Sequence, residues 1–314
     1  MPGAVAEPRL TLRQAQSRVA ALHREAEAAT ERYNDARVQM VQVELELRQV
    51  TKRLDRAKAE VGGMQAAMAQ MAAASYKSGG VDMAMQLMLA DDPQAFLQQA
   101  TALDQLSRRQ AVTLRRITAA RQQLAQDRLV VDQQRERLAA LQAQLSAEKR
   151  TIEARIASAQ GVLGSLRAAD RARLEAARRA SIADARAQRG TGGSYTGPAS
   201  GRASIAVRTA YAQLGDPYVW GASGPNAFDC SGLTSYAWRA AGVSLPHSSS
   251  AQYGSGRRVS RSALQPGDLV FFYSPISHVG IYIGGGKMID APHPGTSVRI
   301  TSISQLPYSG AVRP

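Results

Sequence analysis

Cys230 is the single cysteine of the chain, in Asn226-Ala227-Phe228-Asp229-Cys230-Ser231-Gly232-Leu233, where a loop gives way to a helical pattern. A thiol in the first turn of a helix feels that end's partial positive charge and free N–H groups, which favour the thiolate. The same N–H groups can hold a developing oxyanion. His278 opens His278-Val279-Gly280-Ile281-Tyr282-Ile283, a run of β-formers, and a histidine at such a strand edge is placed to take the thiol proton. In Lys287-Met288-Ile289-Asp290-Ala291, strand alternation puts Met288 and Asp290 on one face. Asp290 is thereby placed to accept a hydrogen bond from the His278 ring and fix its tautomer. His293 is the alternative orienter, but it follows Pro292, past the strand end.

Blander readings stand beside these. Buried structural thiols keep apolar company, whereas Cys230 lies between Asp229 and Ser231. Those two residues read equally well as helix caps, which need the same side chains. Tyr218, beside Trp220, also reads as packing. One Cys and four scattered His show no zinc-ligand spacing, so no metal and no cofactor is expected.

The elements that must position these residues fall into two regions. In the first, apolar residues alternate at spacings of three and four. One seam runs Leu12, Val19, Ala26, Tyr33, Met40, Leu47, Leu54, Val61, Met68, and its partner runs Ala15, Leu22, Ala29, Ala36, Val43, Val50, Ala57, Met64, Met71. Such persistence predicts a coiled coil. Gly62-Gly63 is its weak point, Ser78-Gly79-Gly80 its stop, Met83–Leu89 a short segment, and Asp91-Asp92-Pro93 a turn into a second helix. The second helix keeps one seam through Ile117, Leu124, Val131, Leu138, Leu145, Ile152 and Ala159. Its complementary seam holds Thr113, Asp127, Gln134, Glu148 and Arg155. We expect antiparallel pairing of the two within one chain, with a parallel dimer of the first helix as the alternative. The mismatch between seams also suggests that part of the helical region covers the Cys230 groove; a plain stalk is the competing reading.

Residues 1–186 are thus read as a helical hairpin, 187–201 as a Gly/Ser-rich linker, and 202–314 as a compact domain. Within the last, Ser204–Leu214 and Ser231–Ala241 read as helices. Asp268–Tyr273, His278–Ile283, Lys287–Ala291 and Val298–Ser302 read as short strands, an α+β pattern.

Four blocks in order, Tyr218-Val219-Trp220-Gly221, Asp229-Cys230-Ser231-Gly232, Gly267-Asp268-Leu269-Val270-Phe271-Phe272 and His278-Val279-Gly280-Ile281-Tyr282-Ile283-Gly284, resemble those of the NlpC/p60 cysteine peptidases. The resemblance covers essentially all of 202–314. It implies a papain-like α+β domain, Cys230 as nucleophile, His278 as base, and a hydroxyl from Tyr218 near the tetrahedral intermediate. It further implies that Asp229 and Ser231 contact the amino end of the substrate, and that Trp220 and Ser248 belong to the substrate-binding surface. Two departures stand out. The third catalytic position is most often His in that family, and is Asp290 in Asp290-Ala291-Pro292; and His247 occupies a place where the family tends to carry Arg. The implied substrate is the peptidoglycan stem peptide, cut between the γ-linked D-glutamyl residue and the diamino acid. An amidase or acyltransferase using the same pair, or an inactive wall-binding scaffold, are the alternatives. Helical segments before such a domain resemble those of wall hydrolases that dock to a membrane division complex or inhibit themselves.

The net charge of +14 suits a polyanionic wall, an anionic membrane or nucleic acid. Residues 202–314 hold nine Lys/Arg and four Asp/Glu, and the rest of the surplus is dispersed among acidic residues along the helices. No block resembles a nucleic-acid arm, so nucleic acid is not an expected partner. The start, Met1-Pro2-Gly3-Ala4-Val5-Ala6-Glu7, lacks the features of a signal peptide. We expect a secreted or wall-associated protein whose leader is absent from this chain, with a cytoplasmic protein as the alternative. The oligomeric state is left open.

Overall fold

A computed structural model describes residues 10–77, 93–192 and 201–314. They form two compact units, one made of residues up to 40 together with 141–314, the other of 41–140. Helix α1 (Leu12–Lys77) and helix α2 (Pro93–Gly164) each contribute to both, while α3 (Ala168–Gly192) belongs to the first. Among the described residues no helix is long and apolar enough to cross a membrane.

Within each unit the two long helices run antiparallel. In the first, Arg155 pairs with Glu25 at 2.7 Å and Arg32 with Glu148 at 2.8 Å. In the second, Gln134 donates to Glu46 at 3.1 Å and Arg53 pairs with Asp127 at 2.7 Å. Each step of one heptad up α1 is one heptad down α2. The apolar seam is buried at Ala15, Leu22, Ala29, Ala36 and Val43 on α1, and at Ile117, Val131, Ile152 and Ala159 on α2. The polar seam of α2 is therefore no defect: Asp127, Gln134, Glu148 and Arg155 are the rungs of a cross-helix ladder. Exposed rungs contribute little stability, but opposite charges set register.

Two expectations need adjustment. The helix continues unbroken through Gly62-Gly63. The expected linker 187–201 begins inside α3, which runs to Gly192, while 193–200 and the Met83–Leu89 segment lie outside the described residues. Packing explains why α3 persists through a Gly-containing stretch. Ala185 joins the core of the C-terminal domain, and the Arg189 guanidinium donates to the Leu214 carbonyl and to Asp216.

The C-terminal domain is α+β. Helices α4 (Arg202–Ala212), α5 (Cys230–Ala240) and α6 (Ser249–Tyr253) precede or interrupt the strands β1 (Arg257–Val259), β2 (Leu269–Phe272), β3 (His278–Gly284), β4 (Lys287–Asp290), β5 (Arg299–Ser302) and β6 (Tyr308–Arg313). The sheet is antiparallel in the order β1-β6-β2-β3-β4-β5. Alternation along β2 sends Leu269 and Phe271 into the core shared with α4 and α5, and Val270 and Phe272 into a second cluster with Met288 and Ile303. Both faces of β2 are thus covered, which is why it reads as an unbroken apolar run. Arg313 fastens β6 to the start of β2 through Asp268 at 2.7 Å.

Two glycines matter because other groups need their space. A Cβ on Gly280 would stand 2.7 Å from Met288 Sδ, so glycine lets β4 pack its Met288 against β3. A Cβ on Gly232 would lie 2.1 Å from the Ala222 carbonyl oxygen, so glycine lets the Tyr218–Trp220 loop close onto the first turn of α5.

Candidate active site

Cys230 is the first residue of α5, and the cap explains the helix start. Asp229 is extended, and its carboxylate accepts the Gly232 N–H at 2.7 Å. A cap of this kind contributes about 1 kcal/mol. Asp229 also accepts from Gly221 N at 2.9 Å and meets His247 Nε2 at 2.8 Å, so it ties the Tyr218–Trp220 loop and the His247 loop to the helix end. Strand β3 delivers His278, and β4 delivers Asp290 to the same face. His278 Nε2 lies 3.0 Å from Asp290 Oδ2, while Asp290 Oδ1 accepts from Thr301 Oγ1 at 2.7 Å. With Nε2 turned to Asp290, the nitrogen left for the thiol is Nδ1. Cys230 Sγ and a His278 ring nitrogen lie within 4.8 Å of each other. Ser249 Oγ is 3.6 Å from the sulfur.

The structure thus brings Cys230, His278 and Asp290 together and leaves His293 out. The His293 ring sits beside that of His23, with centroids 4.5 Å apart, and its Nδ1 faces the Pro294 carbonyl at 2.9 Å. Tyr218 is buried beside the thiol, and its hydroxyl is held neutral by burial and by the nearby Asp229 and Cys230. Trp220 borders the same groove, and Ser231 and Ser248 are both buried in it.

What the sequence does not disclose is the occupant of that groove. One face of α1 fills it with Glu27, Thr30, Glu31 and Asn34, all buried. Glu27 Oε1 stands 2.6 Å from His278 Nδ1, off the axis of an aligned hydrogen bond. Asn34 Nδ2 donates to Asp229 Oδ2 at 3.0 Å and to Ser231 Oγ at 3.4 Å. Ser248 Oγ faces two carboxylates, Glu31 at 3.0 Å and Asp35 at closer range, and Tyr33 meets Trp220 edge-on at 5.3 Å. Every residue expected to touch substrate on this side is therefore in contact with α1. One signal is present in the sequence: Glu27, Glu31 and Asp35 recur at four-residue spacing, an acidic stripe that like-charge repulsion disfavours on an isolated helix.

Electrostatics in the covered groove oppose thiolate chemistry. Burial pushes the Cys230 thiol up to about 11, against the opposing pull of His278. The helix-end effect expected to favour the thiolate is outweighed by loss of water. Burial disfavours a charged His278, but Glu27 and Asp290 outweigh it and hold the imidazole protonated well above its usual range. Burial raises the Glu27 carboxyl and the imidazolium draws it back down. An imidazolium paired with Glu27 has no free site for the thiol proton.

Glu31 is pushed up to about 7, by burial first and by Asp35 second. Ser248 has one O–H for two carboxylates, which favours a proton on Glu31. Asp35 on α1, Asp229 at the α5 cap, and Ser248 with the Ser250 N–H from the α6 turn are the groups around it. Since the carboxyl titrates higher in the covered state than free, its contribution to closure is complete below about pH 4.5 and is lost as pH rises through about 7. Glu31→Gln mimics the protonated form and should stay closed at alkaline pH. We expect the ratio of Cys230 alkylation rates, wild type over variant, to rise about 10-fold between about pH 5 and 8. A flat ratio would remove Glu31 from the closure.

The fold and site define an α+β domain of papain-like organisation whose thiol, imidazole and carboxylate meet at a helix end. Residues 215–312 match the NlpC/P60 family, and this part of the chain is an NlpC/P60 domain. Over 116 residues the chain is 47% identical to a probable endopeptidase of Corynebacterium glutamicum, covering 37% of this chain and 56% of that protein. Over 87 residues it is 58% identical to the probable endopeptidase p60 of Listeria grayi, covering 27% of this chain and 17% of that protein. The solved NlpC/p60 domain of the peptidoglycan hydrolase SagA aligns at 38% identity and a TM-score of 0.34, over 36% of this chain and 98% of that one. The chain spans about half, or less, of the length of these two endopeptidase relatives. The long helices α1 and α2 lie outside the matched range.

Proposed function

We propose that the chain is a wall-directed cysteine peptidase that cleaves peptidoglycan stem peptides between the γ-D-glutamyl residue and the diamino acid, and that α1 holds it inactive. The reading is carried by one observation: the lone thiol, in a domain of this family, lies beside an imidazole whose far nitrogen is held by Asp290. With α1 withdrawn, Glu27 no longer pairs with His278, water returns to the groove, and His278 accepts the thiol proton. The thiolate attacks the scissile carbonyl. The first-turn amides of α5 and the Tyr218 hydroxyl stabilise the oxyanion, and the protonated His278 gives its proton to the leaving amine. Water, deprotonated by His278, then releases the acyl group. The amino end of the substrate takes the place of the Asn34 amide between Asp229 and Ser231, and its carboxylate takes that of Glu31 and Asp35 at Ser248. In this reading α1 presents to the groove the same kinds of polar group as the substrate.

The protein acts outside the cytoplasm, at the wall, and a division complex in the membrane is the candidate partner that draws α1 away. The test is digestion of defined muropeptides by a full-length Asn34→Asp variant, with products weighed by mass spectrometry. The expected products are a fragment ending in D-glutamate and one beginning with the diamino acid. Cleavage at the sugar–peptide amide instead would indicate an amidase. Exchange onto an added amine would indicate an acyltransferase, and no cleavage would leave the scaffold reading.

A further inference from the structure

We propose that Glu27, Cys230 and His278 form a binding site for a divalent cation of the zinc class, which fastens α1 over the groove. The Cys230 sulfur, a His278 ring nitrogen and a Glu27 carboxylate oxygen lie within 4.8 Å of one another, and all three side chains are buried. Thiolate, imidazole and carboxylate are the donors that zinc accepts in four-coordinate sites.

Separate observations point to an ion. Glu27 Oε1 and His278 Nδ1 are both buried without an aligned hydrogen bond, although they stand 2.6 Å apart. Buried polar atoms are ordinarily aimed at a partner, and these two stand near the sulfur without an aligned hydrogen bond. Asp290, holding His278 Nε2 at 3.0 Å, keeps a proton on that nitrogen, so a metal that displaces the Nδ1 proton binds the Nδ1 lone pair. That carboxylate–histidine relay is the usual outer support of a zinc-bound imidazole.

Charge also balances. At the three ligands themselves a thiolate and the Glu27 carboxylate balance a divalent ion, while Asp290 and Arg24 act on Glu27 with opposite sign. Ligands at about 2.0–2.3 Å from a tetrahedral ion stand between 3 and 4 Å apart, to a first approximation, so Glu27 and His278 must separate by about 1 Å. Glu27, at the end of a flexible side chain, can supply that. A cavity of about 180 Å³ lined by Arg24, Glu27, Tyr273, His278 and Asp290 adjoins the site and offers a route for the ion. The site exists only while α1 is in place, since one ligand comes from each of α1, α5 and β3. Ion binding therefore favours the covered state and silences the thiol. That inhibitory consequence rests on the peptidase reading, whereas the binding itself does not.

The test is titration of reduced full-length protein with Co²⁺, then displacement by Zn²⁺. We expect one ion per chain, with the visible bands of four-coordinate cobalt and a near-ultraviolet thiolate charge-transfer band. Cys230→Ala should lose the charge-transfer band. Glu27→Gln should weaken binding about 10-fold or more, at least the effect of losing an outer-shell partner. Asn34→Asp, which keeps all three ligands but loosens α1, should weaken it too and serves if Glu27→Gln does not fold. Glu25→Gln, an exposed carboxylate on the same helix paired with Arg155, should bind as wild type does. Unchanged affinity in Glu27→Gln, or in Asn34→Asp if that variant alone folds, would overturn the proposal, since the ion would then sit on the thiol and imidazole alone. A six-coordinate spectrum without charge transfer would overturn it as well. Because no turnover is measured, failure in this titration is separate from failure of the muropeptide digestion.

Discussion

In full-length protein carrying Asn34→Asp, Cys230 is expected to be alkylated by an added haloacetamide, and muropeptides to be hydrolysed, about 100-fold faster than in wild type at neutral pH. The wild-type amide donates to Asp229 Oδ2 at 3.0 Å in a fully buried position. A carboxylate of the same size removes the donor and sets like charges against each other away from water. Leaving a buried charge unpaired costs about 3–5 kcal/mol, and 1.4 kcal/mol is about tenfold in an equilibrium. We take about 3 kcal/mol of this as the loss of closure. Asn34 is not itself part of the proposed machinery and leaves Asp229 and Ser231 when α1 withdraws, so the open enzyme should be unchanged. The new carboxyl can also escape the penalty by binding a proton and donating it to Asp229. The advantage over wild type should therefore shrink in mild acid. Equal alkylation rates at neutral pH would mean that α1 does not restrain the thiol, whatever its position.

That prediction depends on residues to which the sequence alone does not point, and the reason is physical. Cys230, His278 and Asp290 each announce themselves locally: a thiol at a loop-to-helix boundary, a histidine opening a β-rich run, and an aspartate in phase with Met288. Strand phase is enough to prefer Asp290 over His293, because a period of two leaves no choice of face. The seam through Ala15, Leu22, Ala29, Ala36 and Val43 is equally local, since a repeat of three and four is written along one helix. Edge strands are different. Tyr308–Arg313 contains Ser, Gly and Ala, and Arg257–Val259 has only three residues, so neither has a pattern of its own. They become strands because β2 offers its free edge to β6, and β6 in turn pairs with β1. The contact of Glu27 with His278 joins residues far apart in the chain. Sequence shows only that Glu27, Glu31 and Asp35 form an acidic stripe. Nothing local says what receives it. The polar seam of α2 is opaque for the same reason: Asp127 and Glu148 are poor seam residues until Arg53 and Arg32 are known to face them.

Asp290→Ala, made in the Asn34→Asp background so that turnover is measurable, should lower kcat by about 10³-fold, within the range for losing an oriented acid–base group. Asp290→Asn should stay within about 10-fold of the parent, and the contrast rests on Thr301. An asparagine must present its oxygen, not its amide nitrogen, to His278 Nε2, or the imidazole is forced into the tautomer that cannot accept the thiol proton. In the native protein Thr301 Oγ1 donates to Asp290 Oδ1 at 2.7 Å. A hydroxyl can also accept, so Thr301 can turn to receive the new N–H₂ and hold the amide oxygen toward the imidazole. Charge is not rescued. With a neutral partner the imidazolium is less favoured, so the basic limb of the pH–rate profile should move to lower pH in Asp290→Asn. Thr301→Val on top of Asp290→Asn removes the acceptor, and should carry the rate most of the way to that of Asp290→Ala. Thr301→Val alone, with an aspartate that has no wrong orientation, should cost far less. If Asn and Ala at position 290 are equally slow, or if the double variant is no worse than Asp290→Asn, orientation of His278 is not what Asp290 supplies. Its negative charge beside the imidazolium would then be the larger part of its role.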